Sequence, residues 1–296
     1  MPVKNWKPAD GTPEFSKYIY RIGFDWEDSV DIKNSLAQFF SFPGVEETIG
    51  LSLGANTEEC SEFYKDAFFL IENKAKLPNL KALFLAECDQ EESEISWIGQ
   101  GDISPFLEAF PLLEDFRARG CEGFTATPLR HNALKKLVIE SGGLAKSLLK
   151  GVHESIFPEL EHLELWLGTE EYGWDGKAED TKPLLYENAF SKLSYLGLKN
   201  SDEQDEIAKL AAEAPVLGQL KVLDLSLGVL KNAGGEALLA SEAVQKLEKL
   251  DLHHHFMGTE LMARFVKLFG TSVDVSGREE PDTYGDEIYY YIAVSE

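Results

Sequence analysis

The stretch Leu247-Glu248-Lys249-Leu250-Asp251-Leu252-His253-His254-His255 sets three leucines at spacings of three and two. The same L-x-x-L-x-L spacing starts at Leu80 (with Leu83 and Leu85), Leu134 (Leu137, Ile139) and Leu160 (Leu163, Leu165). It returns at Leu193 (Leu196, Leu198) and Leu220 (Leu223, Leu225), and a degraded copy starts at Leu113 with Phe116 and Ala118. Weaker edges flank these copies at Ile22 and Phe24, Leu51 and Leu53, and Val273 and Val275. From Leu80 to Leu247 the intervals are 33, 21, 26, 33, 27 and 27 residues.

An irregular period in the high twenties is that of leucine-rich repeats, which run about 20–29 residues and stack one strand per repeat. What fills the intervals agrees. The segment from Ser201 opens with a capping residue and an acidic first turn, then places Ile207, Leu210 and Ala211 at helical spacing. Residues 259–269 repeat the scheme with Leu261, Phe265 and Leu268, residues 57–76 are a longer version, and 143–152 a shorter one. Strand, helix, strand implies parallel strands joined by right-handed crossovers. The expected fold is an α/β leucine-rich-repeat solenoid, a horseshoe with a parallel β-sheet on its concave face and helices on its convex face. One domain spans 1–296. Residues 1–45 form an N-terminal cap with a strand at 18–25 and a helix at 31–40, 46–276 carry the repeats, and 277–296 form a C-terminal cap. In that last cap 287–294 reads as a closing strand, which an open stack needs because a bare edge invites aggregation.

Composition limits the partners. The chain has 28 basic against 52 acidic residues, a formal charge of −24. Nucleic-acid binding depends on neutralising phosphates with Lys and Arg, so this balance opposes it, and it opposes an anionic membrane surface equally. A basic protein, a cation or a neutral ligand remains open. Met1-Pro2-Val3-Lys4-Asn5-Trp6 has no apolar run behind it, and no stretch approaches the ~20 apolar residues of a membrane helix, so the simplest reading is cytoplasmic. The cysteines Cys60, Cys88 and Cys121 lack C-x-x-C spacing, which disfavours a disulfide framework or a thiolate zinc site. Three positions beyond each repeat's sixth residue stand Cys88, Cys121, Gly142, Gly168, Ser201, Gly228 and His255. Small or hydrogen-bonding residues belong there, where the chain turns inward and backbone groups need partners.

The segments 94–102, 162–168 and 223–228, the opening stretch 250–255 and the terminal Ala293-Val294-Ser295-Glu296 resemble bacterial, cytosolic leucine-rich-repeat proteins with ribonuclease-inhibitor-like repeats. The likeness runs from about Tyr18 to Glu296. It implies the horseshoe fold and brings no catalytic residues with it.

Positions three, five and seven of each strand point onto the concave surface, because strand side chains alternate. Position five reads Phe84, Arg117, Val138, Glu164, Gly197, Asp224, Asp251 and Asp274 from repeat to repeat. Glu164, Asp224, Asp251 and Asp274 make an acidic row in the C-terminal half, with Trp166 and Tyr195 beside it. Aromatic anchors among charges are typical of recognition surfaces. The expected function is therefore a non-enzymatic scaffold that binds a basic protein through Glu164, Trp166, Tyr195, Asp224, Asp251 and His253, without a cofactor. Arg117 and Arg119 offer a basic patch, for which ion pairing with Asp115 and Glu140 is the simpler explanation. One alternative is a metal-dependent or acid–base enzyme using Asp224, Asp251 and His253. Alternation argues against the three histidines acting together: His253 faces the concave side, His254 lies near the strand end, and His255 takes the inward turn position. The other alternative is a small-ligand binder at the strand-end loops 89–102 and 169–176, although Trp97 and Ile98 read more simply as pins holding the first loop to the core.

Overall fold

The computed structural model describes residues 1–24, 29–57 and 60–296. Within them the strands lie side by side in sequence order. They are β1 (Val3–Asn5), β2 (Ile19–Ile22), β3 (Gly50–Leu53), β4 (Ala82–Leu85), β5 (Asp115–Arg119), β6 (Lys136–Glu140), β7 (His162–Gly168), β8 (Tyr195–Ser201), β9 (Val222–Asp224), β10 (Lys249–Asp251) and β11 (Val273–Asp274). Every neighbouring pair is parallel. The helices between strands are α1 (Ile32–Phe39), α2 (Phe63–Glu72), α3 (Ser104–Ala109), α4 (Lys146–Glu154), α5 (Lys182–Tyr186), α6 (Gln204–Ala212), α7 (Asn232–Ala240) and α8 (Thr259–Phe269). This is the α/β solenoid expected from the repeat.

The register follows the leucines. Leu83, Phe116, Leu137, Leu163, Leu196, Leu223 and Leu250 are direct partners from β4 to β10, and all are buried. A one-residue slip between two strands would turn this row out to solvent, so the pattern fixes the pairing. Each buried leucine contributes up to about 1.5–3 kcal/mol, and only against its neighbours in the stack.

The inward turns are built as anticipated. Cys88, Cys121, Ser201 and His255 are buried, and the Cys121 Sγ accepts the Gly142 amide at 3.2 Å. His255 is fully buried. Its Nε2 donates to the Val275 carbonyl at 3.0 Å and its Nδ1 accepts the Met257 amide at 3.1 Å, so the ring serves the turn. The cysteines are free thiols.

At the N-terminal end Trp6, Phe15 and Tyr20 pack their rings edge-on against Phe39, with centroids 5.1, 5.2 and 5.6 Å away. Residues 1–45 thus add β1 and β2 to the sheet as well as covering it. Of the strand read at 18–25, β2 occupies the middle and Asp25 lies outside the described residues, as do Glu58 and Glu59 of the helix read at 57–76. The helix read at 143–152 begins later, at Lys146, because Gly143 is still bridging Gly168. Ser201 is the last residue of β8 and does not cap α6; its hydroxyl accepts the Glu203 amide at 3.1 Å.

The closing strand expected at 287–294 does not form on the sheet. Gly285, at φ 64°, turns the chain so that β13 (Glu287–Tyr289) pairs antiparallel with β12 (Asp282–Tyr284) in a separate, exposed hairpin. Beyond the hairpin the chain runs back across the C-terminal ends of β10, β9 and β8.

Candidate functional site

The concave face of β6–β10 brings the sequence-predicted residues together. Across it Lys136, His162, Tyr195, Val222 and Lys249 are direct partners in one row, and Val138, Glu164, Gly197, Asp224, Asp251 and Asp274 in the next. Trp166 stands opposite Lys199 in a third row. Parallel register brings side chains of equal position to within about one strand spacing, ~4.8 Å, so these groups must interact.

The centre is a residue that the acidic-row reading passed over. Lys199, only 7% exposed, places its Nζ 3.2 Å from Glu164 Oε1 and 3.1 Å from Asp224 Oδ2, and 5.5 Å from the centroid of the Trp166 ring. Around it, Tyr195 donates its hydroxyl to Asp224 Oδ2 at 2.5 Å, and the Trp166 indole donates to Glu164 Oε1 at 2.8 Å. His162 Nε2 donates to Glu164 Oε2 at 3.3 Å while its ring stacks on Tyr195, centroids 3.7 Å apart. The amide and hydroxyl of Ser226 satisfy the remaining oxygen of Asp224. The small residue at Gly197 leaves room for this: a Cβ there would meet the Glu164 side chain at 3.2 Å and the Tyr195 ring at 3.3 Å. The signal for Lys199 was in the register, since position seven of the strand after Trp166 has to face it.

Charge states follow from these contacts. Burial alone would raise the Glu164 carboxyl, but the His162 hydrogen bond, the Lys199 charge and the Trp166 indole override it and hold the pKa at about 2. Burial pushes Tyr195 well above its ordinary range, and the charges of Asp224 and Glu164 push the same way, so its hydroxyl keeps the proton it donates to Asp224. For Lys199 burial favours the neutral amine, and the two carboxylates outweigh it and raise the pKa. The site is therefore charged and fully paired at its centre. Four carboxylates, at Glu164, Asp224, Asp251 and Asp274, face two lysines, Lys199 and Lys249, and the patch keeps a negative balance.

Toward the last repeat the face opens. Lys249 Nζ lies 2.7 Å from Asp251 Oδ2, and His253 Nδ1 donates to Asp251 Oδ1 at 2.7 Å. Burial opposes ionisation of Asp251, but those two donors lower its pKa nonetheless. Asp274 accepts from the amide and hydroxyl of Ser276 and is partly exposed. Asp251, His253 and Asp274 can bring one ligand atom each within 4.8 Å of one another, a spacing compatible with a cation. Asp224, named with Asp251 and His253 in the enzyme reading, is not in that group: it is 3% exposed and its oxygens are committed to Tyr195, Lys199 and Ser226. Lys249 already supplies the positive charge that Asp251 requires.

The basic residues pair as expected. Arg117 grips Asp115 with two hydrogen bonds, 3.1 and 3.0 Å, and Arg119 reaches Glu140 at 2.8 Å. One loop reading needs correction. Ile95 and Ile98 pin the 89–102 loop to the core, whereas Trp97 is 68% exposed and pins nothing. One side of the 169–176 loop, offered above as an alternative small-ligand site, is covered by the chain itself, Tyr172 donating its hydroxyl to Glu296 Oε1 at 2.6 Å with the Ser295 carbonyl against Gly142. A cavity of about 480 Å³ opens on the loop's other side, lined by Glu170, Trp174, Lys177 and Glu203 among others. On the convex side a cavity of about 610 Å³ opens between α4 and α5, lined by Leu149, Lys150, His153 and Leu184 among others.

No protein-family model matches the chain, and no curated protein matches it. Among solved structures it is similar to a protein of Bacteroides fragilis, at 28% identity and a TM-score of 0.81, over 93% of this chain and 76% of that one. An internalin of Listeria monocytogenes aligns over 90% of this chain and 75% of that one, at 15% identity and a TM-score of 0.40. No helix among the described residues is long and apolar enough to cross a membrane.

Proposed function

We propose that the protein is a non-enzymatic interaction scaffold whose concave face binds a basic polypeptide segment. The single observation that carries this reading is the surface formed by β7–β10. There Trp166 and the stacked His162–Tyr195 pair lie at half-buried positions beside carboxylates that outnumber the lysines pairing them. Glu164, Trp166, Tyr195, Asp224, Asp251 and His253 form the binding face. Within it Trp166, His253 and the neighbouring Asp274 meet the partner, while Glu164, Asp224, Asp251 and Tyr195 with Lys199 and Lys249 hold the surface in shape. A concave solenoid face offers many strands to one extended partner, and complementary charge speeds and orients the encounter. The ribonuclease-inhibitor-like repeat, a cytoplasmic setting, one domain capped at 1–45 and 277–296, and the exclusion of nucleic acid by a charge of −24 all belong to this reading.

The test is capture from nuclease-treated extract with the wild type and with Trp166→Ala/Asp274→Lys. Both substitutions fall on half-buried side chains outside the leucine ladder. The reading expects basic polypeptides on the wild type, eluted by salt and absent from the variant. Equal capture by both proteins, or capture that salt does not affect, would remove the concave face from consideration.

A further inference from the structure

The rim at the C-terminal ends of β8, β9 and β10 has a feature that the concave face does not use. The residue after position seven is left-handed in three successive repeats: Asn200 at φ 56°, Leu227 at φ 67° and His254 at φ 56°. Non-glycine residues are strained in such a conformation and keep it only where surrounding contacts enforce it. Here the conformation turns a row of hydrogen-bonding groups outward, and residues 291–296 lie along that row. His254 Nε2 donates to the Tyr291 carbonyl at 3.2 Å, and the Ala293 amide donates to the Leu227 carbonyl at 2.8 Å. The Asn200 side chain then meets both backbone groups of Val294, donating to its carbonyl at 2.5 Å and accepting its amide at 3.0 Å. Spacing agrees: three extended residues cover ~10 Å, close to the two strand intervals of ~4.8 Å from β10 to β8. Between the polar contacts Ile292 is buried with Val229 and Phe256, in a cluster apart from the main core. Glu296 ends the run on the Tyr172 hydroxyl.

We propose that this rim is a second binding site, a groove for an extended peptide, and that residues 291–296 are a resident occupant held in place by the chain itself. Asn200 carries the assignment. It is fully buried, its amide is dedicated to the backbone of whatever lies at Val294, and its remaining contact is the Ser141 carbonyl at 3.4 Å. Hydrogen bonds to a peptide's backbone give affinity independent of its sequence, as they do in strand-addition sites, and pockets for alternate side chains add the specificity. The partner it fits is a protein segment of apolar, small, β-branched, any, acidic character, as in Ile292-Ala293-Val294-Ser295-Glu296. The occupant is tethered only through the exposed β12–β13 hairpin, a two-stranded unit that is marginal alone. A segment from outside therefore competes with a tethered one, whose effective concentration is on the order of millimolar.

The experiment uses a labelled peptide of the 290–296 sequence and the full chain. Ile292→Asp/Val294→Pro releases the resident segment by removing its apolar anchor and the amide that Asn200 accepts. The expected result is binding to the released variant about tenfold or more tighter than to the wild type, abolished when Asn200→Ala is added. A folded released variant that ignores the peptide, or a wild type that binds it equally well, would overturn the assignment. Amide exchange on the unsubstituted protein gives an independent reading. Excess peptide should deprotect the amides of Ala293 and Val294 and leave those of Leu223 and Leu250 unchanged, and unchanged protection at 293 and 294 would also overturn it.

Discussion

Lys199→Met keeps most of the side-chain volume beneath Trp166 and removes the cation that pairs with both Glu164 and Asp224. Asp224 is then buried, and Glu164 half-buried, without the lysine they share. The size of the effect follows from two routes. Glu164 lies at about 2 against an ordinary 4.5, a difference worth roughly 3 kcal/mol at ~1.36 kcal/mol per pH unit, and Lys199 supplies a large share of it. Breaking a buried ion pair by deleting one partner costs about 3–5 kcal/mol. The expected loss at pH 7 is therefore about 3 kcal/mol, measured by urea unfolding followed through tryptophan fluorescence. Its pH dependence has a definite sign. In the wild type the depressed pKa of Glu164 contributes stability that is present above the unfolded value near 4.5 and is lost as pH falls through about 2. In the variant the same carboxyl is half-buried without its cation, takes up a proton more readily, and is relieved as pH falls. The gap between the two proteins should narrow from pH 7 to pH 4, and adding Glu164→Gln should recover part of the loss at pH 7. A loss under about 1 kcal/mol, or one that is equal at both pH values, would refute a charged, mutually dependent network here.

Other outcomes follow from single contacts. Burial lowers the pKa values of His131 and His255, so the unfolded chain binds more protons below about 6.5 and the fold loses stability as pH falls from there; His131→Gln/His255→Gln should flatten that slope in a series of urea titrations from pH 7 to 5. Gly151→Ala, which would gain about 1 kcal/mol in an isolated helix, should instead lower the melting temperature, because the added Cβ would lie 1.8 Å from the Ala126 carbonyl oxygen. The buried thiols of Cys60, Cys88 and Cys121 should react with a thiol reagent only at the rate at which the chain opens, measured against urea concentration.

Legibility from sequence varied with the physics behind each feature. The leucine ladder was readable because burial of one strand face demands a fixed spacing, and the same spacing fixed which side chains share the concave rows. The bounds of helix α8 were readable to the residue from its apolar spacing, with Leu261 and Phe265 buried as read and Leu268, read onto the same face, exposed. Helix α7 was not anticipated. Its Gly234 and Gly235 weaken the helical signal and are there for close packing, a Cβ at Gly235 meeting the Met257 sulfur at 2.6 Å. Strand β1 has no alternating pattern to read, being exposed along its length. The acidic row was visible, yet its neutralisation by Lys199 was not, because a sequence shows charge without showing which side chains are near enough to compensate it. The return of residues 291–296 along the rim depends on contacts about a hundred positions away, and only the fold reveals them.

The central claim, a basic polypeptide held on the concave face, is tested most directly by the dissociation constant of the captured partner for the wild type and for Asp274→Lys as salt is raised. Asp274 is half-buried at the open end of the acidic row and, among the described residues, bonded to Ser276, so its replacement should alter the surface without disturbing the core. The account predicts a constant that rises steeply with salt for the wild type and is about tenfold weaker for the variant at low salt, the two converging as screening takes over. A constant indifferent to salt, or identical for the two proteins, would contradict it.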